Sequence, residues 1–284
     1  MKRIRIKRVT IIVLAILSGI YLLACLAVYS FQRRIIFLPS RCSDPPPESL
    51  GIREVYFSTE DGQRLHGWWM PVDSSEYTLL FLHGNAGCVA YGEERMKFFR
   101  EMGFSTLMID YRGYGKSSGE ILKEDDIYQD GEAALRYLRD SLHLADHQLI
   151  VWGWSLGGAV TTHICQDKDL AAVVLEGTFH SMDEIAARAY PVFPVKYLLK
   201  YHFRSGEKIS RIQSPVFFVH STEDMTIPFE QGKKLHDAFP GRKEFLEIGG
   251  THNRGYYDHR AEIIKGLKGF LAEIDSPAAN ESHK

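Results

Sequence analysis

The chain has 284 residues, of which 45% are hydrophobic and 25% are charged, as is ordinary for a protein with a globular core. Its net charge of −2 gives no electrostatic reason to expect nucleic-acid binding. About 250 residues lie beyond an N-terminal apolar segment, a length that suits one large α/β domain.

The N-terminus carries an uncharged apolar stretch, residues 9–31, after a basic flank, residues 1–8. The stretch is long enough to span the hydrocarbon core of a bilayer as a helix. The positive charges of the flank are Lys2, Arg3, Arg5, Lys7 and Arg8. Because the larger basic cluster stays on the cytoplasmic side, we predict a single-pass anchor with the following domain outside the cytoplasm, in a periplasmic or luminal space.

Three other interpretations of this stretch stay open, and one of them is a helix buried in a protein core. Residues 22–25, Leu-Leu-Ala-Cys, resemble a bacterial lipobox, which would make Cys25 the lipidated first residue of a lipoprotein. A cleaved signal peptide would usually have a shorter apolar region, of about 7 to 15 residues. The apolar residues 26–31 after Cys25 favour the uncleaved anchor. Both the anchor and the lipoprotein would be tethered to a membrane.

The next segments predict a linker and then an α/β domain over residues 51–274. Residues 32–50, with three prolines in a row, indicate a stiff linker. Two strands joined by an Asp-Gly turn then form a hairpin. Alternating strands and helices from residue 79 onward predict a mostly parallel sheet flanked by helices. The predicted strands are 54–58, 65–70, 78–82, 105–110, 148–152, 171–175, 215–220 and 245–248, and the predicted helices are 126–142, 159–164, 229–239 and 260–274. The polar residues 275–284 are predicted to be a disordered tail.

Residues 153–158, Gly-Trp-Ser-Leu-Gly-Gly, lie between a predicted strand and a predicted helix. The pattern G-x-S-x-G in that context places a serine on a sharp turn, with its hydroxyl exposed above the sheet. The helix N-terminus beneath the turn favours developing negative charge. We therefore predict that Ser155 is a nucleophile. The alternative is an ordinary N-cap serine at a glycine-rich helix start.

A nucleophilic serine needs a general base, and the base needs an orienting acid. In hydrolases with this elbow the chain order is serine, acid, histidine. Asp224 and His252 follow predicted strands in that order, so both belong at the carboxyl edge of the sheet, where sites assemble. Glu223 is the alternative acid. The histidines at positions 66, 163, 180 and 220 are interpreted as structural.

An oxyanion hole is predicted from two backbone N–H groups, those of Leu156 and Asn85. Leu156 follows the nucleophile directly, and Asn85 lies in the loop 83–87, His-Gly-Asn-Ala-Gly, after an apolar strand. The alternative is a plain glycine-rich turn at residues 83–87.

Residues 179–213 interrupt the alternation and form a candidate cap over the site. The segment is rich in aromatic and aliphatic side chains, and we predict Tyr190, Phe193 and Leu198 as substrate-binding residues. An apolar cap suits acyl-chain or other hydrophobic substrates. The alternative is a packed helical crossover that does not contact substrate.

These motifs resemble the Bem46-like α/β-hydrolases. The matching pieces are residues 83–87, 110–117, 153–158 and 250–253, and Asp224 before Ile227-Pro228. The resemblance spans about residues 30 to 272 and implies the α/β-hydrolase fold, a Ser155/Asp224/His252 triad and a membrane-proximal hydrolase. Residues 176–181 and Thr251 depart from the family pattern at the rim of the site, which weakens inference about the substrate.

The predicted function is a membrane-anchored serine hydrolase that cleaves an ester or thioester, on lipid-like or acylated substrates, through an acyl-enzyme. A serine peptidase-like hydrolase and a non-catalytic membrane-tethered scaffold are the alternatives. No glycine motif for phosphate and no cluster with metal-ligand spacing is present, so no cofactor or metal is predicted. The four cysteines are scattered and do not indicate a disulfide framework. The sequence does not indicate the oligomeric state.

Overall fold

A computed structural model describes residues 2–274, so the predicted tail lies outside the described residues. The strands are β1 (Leu38–Pro39), β2 (Arg53–Ser58), β3 (Arg64–Met70), β4 (Thr78–Leu82), β5 (Ala86–Gly87), β6 (Ser105–Asp110), β7 (Leu149–Trp154), β8 (Ala172–Glu176), β9 (Val216–Ser221) and β10 (Lys243–Ile248). The helices are α1 (Lys2–Ile36), α2 (Glu93–Glu101), α3 (Glu124–Arg136), α4 (Leu156–Ile164), α5 (Met182–Ala189), α6 (Val195–Leu198), α7 (Ser205–Lys208), α8 (Phe229–Ala238), α9 (Gly255–Asp258) and α10 (Arg260–Ile274).

The main sheet has eight strands in the order β10-β9-β8-β7-β4-β6-β3-β2. The hairpin β2–β3 is antiparallel and joins β6 antiparallel, whereas all other neighbours are parallel. Strand β4 is buried along its whole length, as expected for a central strand covered on both faces. Leu80 and Leu82 pack into one hydrophobic cluster, and Leu79 and Phe81 into the other. The predicted mostly parallel sheet flanked by helices is confirmed.

The sequence did not predict helix α2, and the elements that it did predict differ from the observed ones mainly at their ends. The helix predicted over residues 126–142 is α3, which begins at Glu124 and ends at Arg136, where a π-helical turn (Tyr137–Ser141) follows. The candidate cap, residues 179–213, is helical and contains α5, α6 and α7. Helix α1 is longer than the predicted span and includes its basic flanks.

Within the described residues, α1 is the one helix that is long and apolar enough to cross a membrane. Many of its apolar side chains are exposed, among them Leu22, Leu23 and Leu26. Because α1 continues to Ile36, the first five residues of the predicted linker are helical. The linker is also not a free spacer, since β1 lies within it and pairs in parallel with β5, in the loop after β4.

The sequence did not indicate a disulfide framework, but the structure contains one disulfide. Cys42 and Cys88 form a disulfide, with Cα atoms 6.3 Å apart, while Cys25 and Cys165 are free and buried. The two bonded residues are 46 positions apart, so the sequence spacing gave no signal. The pairing of β1 with β5 brings them together, because it lays the linker beside the loop that ends at Cys88.

We expect reduction of this disulfide to lower the free energy of unfolding by roughly 2–4 kcal/mol, because the bond closes a long loop in the unfolded chain. The measurement is thermal unfolding of the full chain, followed by circular dichroism with and without reductant. The matched control is the double variant Cys42→Ser/Cys88→Ser, which should unfold like the reduced protein and should not respond to reductant. An equal reductant effect on both proteins would contradict the assignment.

Candidate active site

Ser155 occupies a strained turn between β7 and α4. Its backbone has φ 55° and ψ −119°, a conformation that non-glycine residues rarely adopt. Neighbouring glycines make room for the turn: a Cβ at Gly157 would lie 1.9 Å from the Leu82 carbonyl oxygen, and one at Gly153 would lie 2.3 Å from Thr161 Oγ1. The G-x-S-x-G spacing is therefore a steric requirement of this turn.

Ser155, His252 and Asp224 form one hydrogen-bonded row. The Nδ1 atom of His252 lies 2.6 Å from Asp224 Oδ2, and its Nε2 atom lies 3.0 Å from Ser155 Oγ. With Asp224 ionised, Nδ1–H donates to the carboxylate and Nε2 accepts from the serine hydroxyl. This tautomer is the one in which His252 can take the proton of Ser155.

The carboxylate of Asp224 is held in its ionised form. Its second oxygen, Oδ1, accepts hydrogen bonds of 2.8 Å from the backbone amides of Thr226 and Ile227. Burial alone would raise the pKa of Asp224, but the hydrogen bond from His252 and the two amides hold it below its usual value. The alternative acid, Glu223, does not face His252 and instead accepts from the backbone N–H of Gly250 at 3.1 Å.

The histidines at positions 66, 163 and 180 lie outside this row and have other partners. His66 Nδ1 is 2.6 Å from Asp110 Oδ2, in the core. His163 stacks on Tyr128, and burial lowers its pKa to about 4. His180 packs beside the cap helix α5, where its Nδ1 lies 3.2 Å from a Glu184 oxygen.

His220 has a closer relation to the site. Its ring donates from Nε2 to the carbonyl of Ile227 at 2.9 Å, with the same atom 3.7 Å from Asp224 Oδ2. Burial lowers the pKa of His220, which favours the neutral ring. The contact with Ile227 thus fixes the loop that supplies the amides to Asp224.

Asn85 and Leu156, the predicted oxyanion donors, both line the cavity that contains Ser155. Leu156 is the first residue of α4, so its amide belongs to the unpaired N-terminal turn of that helix. The segment before the domain helps to position Asn85: the Asn85 carbonyl accepts from Leu38 N at 2.8 Å, and the Asn85 side chain donates to Ile36 O at 3.1 Å. The same carbonyl also accepts from the Tyr114 hydroxyl at 2.9 Å.

Sequence reasoning missed several residues that support the nucleophile. Trp154, the variable position before the serine, stacks on His252 with ring centroids 5.4 Å apart. Thr178 Oγ1 donates to the Ser155 carbonyl at 2.8 Å. The Ser155 N–H donates to the carbonyl of Glu176, the last residue of β8, at 2.9 Å.

Glu176 itself is fixed by a buried ion pair. Arg95 reaches its two carboxylate oxygens at 2.7 and 2.9 Å, and Trp152 Nε1 donates to it at 2.8 Å. A buried acid paired with a distant arginine rigidifies the end of β8 beneath the elbow. A single glutamate at the end of an apolar strand indicates a buried charge that needs a partner. The sequence does not show that this partner is Arg95 on α2.

A cavity of about 500 Å³ opens beside Ser155 and His252. Its size is typical of small-molecule sites, and most of its wall is apolar. The predicted substrate-binding residues Tyr190, Phe193 and Leu198 all line it. Residues of α1 also line it, which the sequence did not predict: Val28, Gln32, Ile35 and Ile36.

Comparison with known proteins places the chain in a family. A family model described as the alpha/beta hydrolase fold matches residues 77–198. Uncharacterized protein Rv2307c of Mycobacterium tuberculosis is 31% identical over 280 residues, covering 96% of this chain and 97% of that protein. Alpha/beta hydrolase domain-containing protein 17C of Mus musculus is 33% identical over 226 residues, covering 77% of this chain and 68% of that protein.

A solved structure is similar in fold. The esterase PF2001 of Pyrococcus furiosus superposes with a TM-score of 0.71 at 20% identity, covering 85% of this chain and 98% of that chain. The similarity to protein 17C, together with the matching family model, shows that the chain belongs to the α/β-hydrolase family.

Proposed function

We propose that this protein is a membrane-anchored serine hydrolase that cleaves a carboxylic ester or thioester through an acyl-enzyme. The observation that carries the proposal is the Ser155–His252–Asp224 row at an apolar cavity. Solved neighbours described as esterases and the finer resemblance to Bem46-like hydrolases support the same reaction class.

In the proposed mechanism, Ser155 Oγ attacks the substrate carbonyl while His252 Nε2 takes the hydroxyl proton. The backbone amides of Leu156 and Asn85 stabilise the oxyanion, each contributing roughly 3 kcal/mol in related sites. His252 then gives its proton to the leaving alcohol or thiol, and the acyl group stays on Ser155. Water, deprotonated by His252, attacks the acyl-enzyme; the bond to Ser155 Oγ breaks, the acid leaves, and His252 returns the proton to Ser155 Oγ. Asp224 keeps His252 in the required tautomer and stabilises its charged form.

The apolar cavity favours lipid-like or acylated substrates over peptides. Its wall combines cap side chains with those of α1, and no charged side chain that could bind a substrate amine is among its lining residues in the described part of the chain. A non-catalytic scaffold would not require the strained backbone of Ser155, which is costly to maintain without a function.

Hydrolysis of a short ester tests this proposal. Purified full-length protein in detergent should release nitrophenol from nitrophenyl butyrate and should react covalently with a fluorophosphonate probe. Failure of both reactions, in a sample with a cooperative thermal transition, would favour the scaffold alternative.

We further propose that α1 anchors the protein in a membrane with the hydrolase domain on the extracytoplasmic side. The basic flank before the apolar stretch supports this orientation. The Cys42–Cys88 disulfide supports it independently, because disulfides persist in oxidising compartments. The Cys25 side chain is buried, which favours the uncleaved anchor over the lipoprotein alternative.

The orientation predicts which reporter will be active in a bacterial host. Alkaline phosphatase, which folds only outside the cytoplasm, should be active when it is fused after the last residue of the chain. β-Galactosidase at the same position is the matched control and should be inactive. The reverse pattern would place the domain in the cytoplasm and overturn the proposed localisation.

A further inference from the structure

We propose that α1 is a wall of the acyl-binding site as well as an anchor, and that the acyl chain of a membrane lipid enters the site from the adjoining leaflet. The chain would lie between α1 and the cap, with its ester carbonyl at Ser155. This inference rests on the proposed serine hydrolase function and adds to it the origin of the substrate and residues that determine its chain length.

The first observation is the face that α1 turns toward the site. Val28, Gln32 and Ile35 line the same cavity as Ser155 and His252. Their spacing of four and three residues places them on one side of a helix. A membrane helix that served only as a tether would have no reason to form part of the catalytic cavity.

The second observation is that α1 is fastened to the cap near the catalytic end. Gln32 is only 5% exposed, its Nε2 donates to Leu198 O at 2.6 Å, and its Oε1 accepts from Lys200 N at 2.8 Å. These bonds satisfy both ends of a buried amide and join the helix to the cap backbone. Gln32 is therefore a positioning residue that keeps the cavity wall in place.

A second attachment lies deeper along the helix. Tyr21 donates from its hydroxyl to Val192 O at 2.9 Å, and its ring stacks on Phe193 with centroids 6.3 Å apart. Tyr21 and Gln32 are eleven residues apart in the helix, a distance of about 16 Å. The cap thus follows α1 over about half of the thickness of a hydrocarbon core.

This attachment fixes the position of the cap relative to the bilayer. Arg33 and Arg34 follow the apolar stretch and mark its polar end, so Tyr21 lies well within the apolar part of the helix. The cap residues Val192 and Tyr197 are 71% and 80% exposed, although both have large apolar side chains. Such side chains beside a membrane helix are expected to contact lipid rather than water.

The cavity is thus lined by α1 and the cap, and both elements also carry exposed apolar side chains outside the cavity. A lipid acyl chain could move from the leaflet into the cavity without crossing water, which avoids the free-energy cost of exposing the apolar chain to water on the way to a soluble site. The head group would stay near the polar end of α1, where Arg33 and Arg34 lie.

The test compares two tryptophan substitutions in α1, made in the full chain and reconstituted in phosphatidylcholine nanodiscs. Val28→Trp obstructs the cavity, whereas Leu26→Trp adds the same side chain at a nearly equal depth on the exposed side of the helix. The readout is kcat/KM for the hexadecanoyl and the acetyl ester of methylumbelliferone. We expect Val28→Trp to lower the hexadecanoyl-to-acetyl ratio by at least about tenfold, and Leu26→Trp to change it less than about twofold.

Ile35→Trp, about two helical turns closer to the catalytic end, provides a second obstruction if Val28→Trp does not fold. Fluorophosphonate labelling reports whether each variant keeps a competent serine. If neither cavity variant lowers the ratio, or if Leu26→Trp lowers it as much, α1 is not a wall of the site and this inference is wrong, while the hydrolase proposal stands. If the wild type neither labels nor hydrolyses the acetyl ester, the hydrolase proposal itself fails.

Discussion

Ser155→Ala is expected to abolish labelling by a fluorophosphonate and to lower the turnover of a short acyl ester by roughly 10⁴- to 10⁶-fold. The substitution removes the hydroxyl that lies 3.0 Å from His252 Nε2. Because this hydroxyl is the proposed nucleophile, the acyl-enzyme cannot form without it. Alanine keeps the Cβ and leaves the packing around the turn nearly unchanged. The measurements are gel-based labelling and initial rates on nitrophenyl butyrate.

Ser141→Ala is the matched control, because Ser141 is exposed in the π-helical turn after α3. It should label and turn over substrate like the wild type. Equal labelling of Ser155→Ala and the wild type would show that the probe reacts elsewhere and would remove Ser155 from the mechanism. A loss of labelling together with a lowered melting temperature would instead indicate a folding defect.

The parts of the site that could be predicted from the sequence are those that depend on residue types close to each other in the chain or at the end of a strand. The elbow needs glycines at fixed offsets from Ser155, since Cβ atoms there would overlap backbone and side-chain atoms. Asp224 and His252 follow strands β9 and β10, and parallel strands bring their carboxyl ends to one edge of the sheet. The strand pattern therefore placed these residues together, although it could not supply the distances between them.

The parts that could not be predicted depend on contacts between distant segments. Gln32 and Leu198 are 166 positions apart, and neither the apolar stretch nor the cap carries a local pattern that indicates the other. A glutamine directly after an apolar run was the only sign that one side of α1 meets protein. The Cys42–Cys88 bond and the Arg95–Glu176 pair were missed for the same reason.

Asp224→Asn is expected to lower ester turnover by roughly 10⁴-fold while it leaves the fold intact. The asparagine amide can donate to His252 Nδ1, where the carboxylate accepts. The proton of the imidazole then moves to Nε2, which can no longer accept the proton of Ser155. The loss should therefore appear in kcat, and the rate of fluorophosphonate labelling should fall in parallel.

Glu223→Gln is the matched control for this substitution, because it makes the same change of carboxylate to amide at the neighbouring residue. Glu223 faces the backbone N–H of Gly250, and the glutamine carbonyl oxygen can still accept that bond, so turnover should stay within about twofold of the wild type.

The Asp224→Asn variant should also differ from the wild type in how its stability depends on pH in the acidic range. The pKa of Asp224 is held below its usual value, so the ionised group stabilises the fold above the pKa of the unfolded chain, and this contribution is lost as the pH falls through the folded pKa. Asp224→Asn should remove that part of the acid dependence of stability. If Glu223→Gln is instead the damaging substitution, the assignment of Asp224 as the acid is wrong.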